Sequence, residues 1–267
     1  MRIAVLIAAG GSSSRYLGHG GQRPKLEEDL AGRSVLSRAV ELFTKRHETD
    51  SIVVAGPPES AADELERFRL RHADQLAFHG VTLVPGGETR SASVRAMLAH
   101  VPDSATHVAV HDAARPLADD ALLDRLYDAA HTHDAVIPAV AVADTLKRTR
   151  PAAAARPDDP LDDILGDAGK VNAELDEVVE TVSREHLVAV QTPQVYERAL
   201  FARAHEAGGE ATDDAALVES LGARVVVVAG DVTNLKITVP GDLAVAQAVM
   251  KRRAAGGAAD RATHKRF

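Results

Sequence analysis

The sequence has no cysteine. Disulfides, Cys-based zinc sites and thiol nucleophiles are therefore excluded, and the absence fits a reducing cytoplasm. Aromatic residues make up only 3% of the chain, so a core must rest on Val, Ala, Leu and Ile. No run approaches the roughly 18 apolar residues of a membrane span. Met1-Arg2 followed by Ile3 to Ala9 has the outline of a secretion signal. Its apolar run is at the short limit, and the Gly-Ser loop behind it has a better explanation. Positive charge is in the minority: 31 Lys and Arg stand against 39 Asp and Glu, a net charge of −8. That balance disfavours non-specific nucleic-acid binding, so any site for an anionic ligand needs locally clustered cations.

What remains is ordinary soluble material, 45% hydrophobic and 26% charged over 267 residues. At about 150 residues per domain the length allows one large or two small domains. Short apolar runs alternate with longer amphipathic stretches. Ile3 to Ala8, Ser51 to Ala55, Val81 to Val84, His107 to Val110 and Ala135 to Ala139 read as strands buried on both faces. Between them, Ser34 to Arg46, Ser60 to Arg71, Ser91 to His100 and Asp119 to His131 carry apolar residues at helical spacing. This alternation predicts an α/β fold with a Rossmann-like, doubly wound, mostly parallel sheet. From Thr149 the texture changes, and Pro151 to Asp167 reads as an insertion rich in Ala, Pro, Asp and Gly, with Asp158 to Asp163 a solvated acidic run. Order resumes near Val178. Leu187 to Val190, Arg224 to Val228 and Lys236 to Val239 read as strands, Tyr196 to Glu206 and Asp213 to Leu221 as helices. Pro240-Gly241-Asp242 opens a last helix, and residues after Lys251 read as a flexible tail. The expected organisation is one domain over 1–250, with an arm or insertion at about 141–186 and a tail over 251–267.

Two segments carry chemistry. The first strand runs into Ala8-Ala9-Gly10-Gly11-Ser12-Ser13-Ser14-Arg15. Small residues there let backbone N–H groups approach a phosphate, with Arg15 and Lys25 adding charge. It is neither a P-loop nor a dinucleotide fingerprint, and a plain connection is the rival reading. The second segment is His111-Asp112-Ala113-Ala114-Arg115-Pro116, at the carboxyl end of the fourth strand, where open α/β sheets bind ligands. Asp112 suits Mg²⁺ in that position, or else caps a turn and pairs with Arg115. Lys236 is read on an alternating strand, where a solvated face is the bland alternative. His131-Thr132-His133-Asp134 lies at a helix end without a second ligand cluster and is not read as a metal site.

In this order the motifs resemble those of 2-C-methyl-D-erythritol 4-phosphate cytidylyltransferases. The resemblance is carried by Gly10 with Arg15 and Pro24-Lys25, Gly86-Gly87 with Arg90 and Ser93, and Val110 to Pro116. It continues through Asp144 to Arg148, Thr192-Pro193-Gln194, Thr212 to Ala215 and Asn234 to Thr238, and runs from residue 3 to about 250. It implies a nucleotide-diphospho-sugar transferase type of fold with a projecting arm, and transfer of CMP from CTP to the sugar-alcohol phosphate with release of pyrophosphate. Implied catalytic residues are Arg15, Lys25 and Lys236, acting on the triphosphate. Nucleotide-binding residues are Ala8, Ala9, Gly10, Gly11, Gly87, Glu88, Ser93 and Ala113. Arg115, Thr145, Arg184, Thr192 and Thr212 fall on the substrate side, and Asp112 holds Mg²⁺. The implied protein is a cytoplasmic homodimer, with no nucleic-acid or membrane partner. A cytidylyltransferase for another polyol phosphate such as ribitol 5-phosphate, or a non-catalytic nucleotide-binding protein, are the competing readings. An NAD-dependent dehydrogenase lacks its glycine fingerprint here.

The sequence also departs from the family pattern. The Gly-rich loop is longer on both sides of Arg15, with Tyr16 in place of the frequent Met. Leu26-Glu27-Glu28-Asp29 follows Lys25 and puts acid beside an expected phosphate site. The segment from Arg150 to Glu180 is expanded by about twenty residues, beyond ordinary loop lengths.

Overall fold

The computed structural model describes residues 1–152, 175–209, 211 and 213–264. They divide into two compact units, Met1–Val140 with Val190–Phe267, and Ala141–Ala189. In chain order the strands are β1 (Ile3–Ala8), β2 (Thr49–Pro58), β3 (Thr82–Gly86), β4 (His107–Asp112) and β5 (Ala135–Ala141). There follow β6 (Leu146–Pro151), β7 (Asp176–Val182), β8 (Val188–Val190), β9 (Gln194–Glu197) and β10 (Val226–Ala229). The helices are α1 (Ser14–Gly18), α2 (Val35–Thr44), α3 (Ala62–Phe78), α4 (Arg90–Leu98), α5 (Asp120–Ala130), α6 (Arg198–Glu206), α7 (Asp214–Ser220) and α8 (Pro240–His264).

The first unit is built on a sheet in the order β10-β5-β9-β4-β1-β2-β3. Along this order the pairs are parallel except those of β9, which runs antiparallel between β4 and β5, and β8 pairs with β5 off this path. Alternate residues of β1 explain the two-sided burial. Ile3, Val5 and Ile7 pack with Val40 and Phe43 of α2 and Leu122 and Leu126 of α5. Leu6 packs on the opposite face with Val94 and Met97 of α4 and Phe201 of α6. Burial of each such side chain stabilises by about 1.5–3 kcal/mol, and both faces need it. The helices start where the sequence supplies caps: Ser34 accepts from Ser37 N at 3.1 Å and Asp119 from Leu122 N at 3.0 Å. Asp242 accepts from the N–H groups of Thr238 at 2.7 Å and Val239 at 2.9 Å, at the start of α8. Among the described residues no helix is long and apolar enough to cross a membrane.

In the second unit β6 and β7 form an antiparallel hairpin. Arg148 pairs with Glu180 at 2.7 Å and Arg150 with Glu177 at 2.8 Å across it. These partners are more than half exposed, so the pairs fix register and add little stability.

Several expectations are corrected. Gln194–Glu197 is a strand where the apolar spacing suggested a helix from Tyr196, because Val195 and Tyr196 are fully buried between two neighbours in the sheet. Lys236 to Val239 is not a strand: its backbone is tied to a loop, Ile237 N donating to Ala114 O at 2.8 Å. The hairpin strands flanking the insertion were missed because they are exposed and charged, one basic and one acidic, and show no regular apolar alternation. The third helix starts at Ala62 and continues to Phe78, past Arg71. The last helix runs to His264 where a tail was expected, since its Ala, Lys and Arg are good helix formers. The acidic run Asp158 to Asp163 lies outside the described residues.

Phe43 is fully buried and meets the His111 ring edge-on, with ring centroids 5.3 Å apart. Phe43→Ala is expected to cost about 3–5 kcal/mol in urea unfolding, the range for a large aromatic removed from a packed core.

Candidate functional site

The parallel register sets Ala8 of β1 beside Asp112 of β4, so the loops after both strands leave the same edge of the sheet. Ala9 extends the ladder by one bond, its N–H reaching Ala55 O at 2.8 Å. Gly10 then crosses the backbone of Gly56. A Cβ there would lie 2.3 Å from the Gly56 oxygen, so only glycine fits. Ser13 turns the chain with φ +56°, and its hydroxyl accepts from Lys25 N at 3.3 Å. The longer loop is thereby closed onto the segment that carries Lys25. Its Tyr16 is buried and donates to Glu28 at 3.2 Å. The acids after Lys25 are spent away from the site. Glu27 meets Arg71 at 3.0 Å, Glu28 meets Tyr16, and Asp29 accepts from Gly32 N at 3.2 Å.

After β3 the turn at Gly87 is equally tight, since a Cβ would lie 2.4 Å from that of Ala92. The Ser93 hydroxyl accepts from Gly87 N at 3.0 Å and donates to Thr89 O at 3.0 Å. It shapes this turn from beneath. Glu88 is held by the Ser60 hydroxyl.

At the end of β4 a chain of hydrogen bonds sets the backbone. Asp112 N donates to Thr192 Oγ1 at 3.0 Å, and that hydroxyl lies 3.1 Å from His111 Nδ1. His111 Nε2 lies 3.1 Å from Arg115 O. A carbonyl can only accept, so Nε2 carries the proton and Nδ1 accepts from Thr192. Burial drives the His111 pKa down to about 4, which keeps this relay neutral. Arg115 Nη1 donates to Asn234 O at 2.8 Å. Asn234, fully buried, donates to Thr192 O at 2.9 Å. These bonds stitch the loop that carries Lys236 onto the end of β4. As a result Lys236 Nζ lies 2.8 Å from Asp112 Oδ2.

Lys25, Asp112 and Lys236 line one cleft of about 250 Å³, together with Ala8 to Gly11, Gly87, Glu88 and Ser93. Arg90, Leu26, Thr89 and Ala114 also line it and were not assigned site roles from the sequence. The motif containing Arg90 was visible there, but its reach was not. Arg15 is exposed and lies outside the lining, yet its charge is felt at Lys25. Three of the expected ligand groups also make contacts within the protein. Ala113 is buried and bonds Ala8 O, leaving Ala114 on the cleft. Arg115 and Thr192 make the loop bonds just described. Thr145 and Arg184 lie in the second unit, where Arg184 donates to Ala143 O. Thr212 is outside the described residues.

The charges in the cleft are strongly coupled. Burial would raise the Asp112 pKa, but Lys236 and Arg90 overcome it and hold it at about 2. Burial lowers the Lys25 pKa, repulsion from Lys236 and Arg15 lowers it further, and Asp112 and Asp242 offset part of this. Among the described residues no group of three His, Cys, Asp or Glu is placed to hold a metal ion. One ionised carboxylate suits a hard cation, which prefers oxygen ligands. A larger concavity of about 490 Å³ opens around His133, Asp134, Glu197 and Arg224 at the amino ends of β5 and β10. Ligands of open α/β sheets bind at the carboxyl ends, so the smaller cleft is the functional candidate.

Fold and cleft together define an α/β protein with a charged cleft, lined by Lys25, Arg90, Asp112 and Lys236, at the carboxyl edge of its sheet. A family profile described as IspD, 2-C-methyl-D-erythritol 4-phosphate cytidylyltransferase, matches residues 3–159 and 157–252. The chain belongs to this family. It is 40% identical to the 2-C-methyl-D-erythritol 4-phosphate cytidylyltransferase of Streptomyces coelicolor, over 94% of this chain and 86% of that one. It is 38% identical to the protein of the same name from Rhodococcus jostii, over 94% and 96%. The crystal structure of 2-C-methyl-D-erythritol 4-phosphate cytidylyltransferase from Thermus thermophilus superposes with a TM-score of 0.65 at 31% identity. That match covers 94% of this chain and all of the other.

Asn234→Ala removes the donor to Thr192 O and leaves that buried carbonyl unpaired. Urea unfolding is expected to register a loss of about 1–3 kcal/mol.

Proposed function

We propose that the protein transfers a cytidylyl group from CTP to 2-C-methyl-D-erythritol 4-phosphate and releases pyrophosphate, a step towards isoprenoid precursors. The observation that carries this reading is the meeting of Lys25, Lys236 and Asp112 in one cleft beside the Gly-rich turn.

The acceptor phosphate attacks the α-phosphorus of CTP. A new P–O bond forms as the bond to the β-phosphate breaks, and the electron pair leaves with pyrophosphate. Both reactants are anions, so the protein's work is positioning and charge neutralisation. Lys25 and Lys236 approach the triphosphate from two different loops, with Arg15 adding charge at the rim. Backbone N–H groups of the Gly-rich turn suit phosphate oxygens, and the Gly87–Glu88 turn suits the edge of a base. Asp112 is the residue that would hold Mg²⁺, which would supply Lewis acidity and neutralise charge on the triphosphate. The acceptor falls to Thr145 and Arg184, whose guanidinium fork matches a phosphate.

Homodimerisation belongs to the same reading. The β6–β7 hairpin leaves Val178 and Val179 about half exposed. An isolated two-stranded hairpin is marginal in water, and a second copy would cover these residues. A cytoplasmic setting belongs to the same reading, and a sequence without cysteine suits it.

A pyrophosphate-release assay with CTP and a panel of polyol phosphates tests the assignment. 2-C-methyl-D-erythritol 4-phosphate is expected to turn over fastest, and faster turnover of ribitol 5-phosphate overturns the choice of acceptor. Lys236→Ala is expected to lower kcat by about 100-fold or more, as for loss of a donor to developing charge. Its thermal midpoint should barely move, because the side chain is 42% exposed. The lowered Lys25 pKa means that its charge is lost at lower pH than for an ordinary lysine. CTP affinity measured by calorimetry should therefore weaken early as pH rises, and Lys25→Arg should move that limb to higher pH.

A further inference from the structure

Arg90 faces two carboxylates at once. Its Nε lies 3.6 Å from Asp112 Oδ1 in the cleft, and its Nη1 lies 2.5 Å from Asp214 Oδ2 behind it. Asp214 stands in the first turn of α7 and is only 1% exposed. Its other oxygen, Oδ1, makes no hydrogen bond among the described residues and sits 3.3 Å from Nε2 of His205, which is equally buried. A carboxylate at such depth is costly unless paired, and an apolar residue would pack there more cheaply. The two Asp112 oxygens have different cationic neighbours, Arg90 at Oδ1 and Lys236 at Oδ2.

These contacts form a line from the interior to the cleft: His205, Asp214, Arg90, Asp112, Lys236. Arg90 is the pivot. Drawn back by Asp214, it stays beyond hydrogen-bonding distance of Asp112, so it orients that carboxylate without capturing it. Released, it would be free to close on Asp112 as a fork-shaped ion pair and withdraw the carboxylate from the reaction.

We propose that Asp214, backed by His205, is a positioning residue for cytidylyl transfer: it holds Arg90 at the distance that keeps Asp112 oriented and available. The proposal rests on the transfer reaction assigned above. Asp214 touches neither substrate, so its effect must pass through Arg90.

The test is a double-mutant cycle between Asp214→Asn and Arg90→Lys, which keeps the charge at residue 90 but loses the fork. It is read by kcat with CTP and 2-C-methyl-D-erythritol 4-phosphate, by calorimetric CTP affinity and by thermal unfolding. Asp214→Asn is expected to lower kcat by about 10- to 100-fold. CTP affinity should stay within about threefold, because binding is common to both states. Added to Arg90→Lys, it should lower kcat by less than about twofold further, the signature of a shared route. Asp214→Glu should recover part of the loss. Unchanged kcat in Asp214→Asn overturns the proposal, as do equal losses in both backgrounds. If Asp214→Asn does not fold, the cycle is run with His205→Gln in its place, and the same criteria apply. A wild-type protein that makes no product overturns the reaction itself, whereas an active wild type with an indifferent Asp214 overturns only this inference.

Discussion

The ion pair between Asp112 and Lys236, 2.8 Å long, is the contact on which the arrangement of the cleft turns. It joins two segments more than a hundred residues apart, one at the end of a central strand and one on an irregular loop. Lys236, Arg90 and Arg115 all lie within 4 Å of this single carboxylate. The protein as a whole is acidic, with a net charge of −8, so the local excess of cations has to be built by folding. In a partly dry site such as this, charge interactions are stronger than in water.

Most of the polar groups around the pair serve to keep it in register. His111, Thr192, Arg115 and Asn234 form a closed set of hydrogen bonds that welds the Lys236 loop to the end of β4. None of the four needs to touch a substrate to matter. The same division appears at the Gly-rich turn, where Ser13 spends its hydroxyl on the Lys25 backbone, and at Gly87, where Ser93 spends its own on the turn. Residues that present charge to the cleft are few. Those that position them are many, because each backbone polar group taken from water needs a partner.

The alternation of short apolar runs with amphipathic stretches made the parallel sheet legible, since strands covered on both faces have to be apolar throughout. The Gly-rich turn and the segment after β4 were legible for a similar local reason: glycine and a strand-end carboxylate carry their constraints in their own backbone. Strand β9 was not legible. Val195 and Tyr196 suit a helix start or a strand equally well, and only insertion between β4 and β5 decides between them. The acids after Lys25 looked unfavourable in sequence. Their partners Arg71, Tyr16 and the Gly32 N–H, supplied by the fold, remove the conflict.

By itself the sequence determined the α/β class, the strand-end segments that share one edge of the sheet and the family to which the chain belongs. These follow from periodicity and from ordered motifs, which act over short spans of chain. Tertiary structure alone decided which side chains reach the cleft and which are consumed in holding it. Arg115 and Thr192 brace the loop that carries Lys236, and Arg90 bridges the cleft to the buried Asp214. A hydrogen bond or ion pair depends on distance in space, and residues 90, 112, 192, 214 and 236 acquire that distance only when the sheet and its loops close around them.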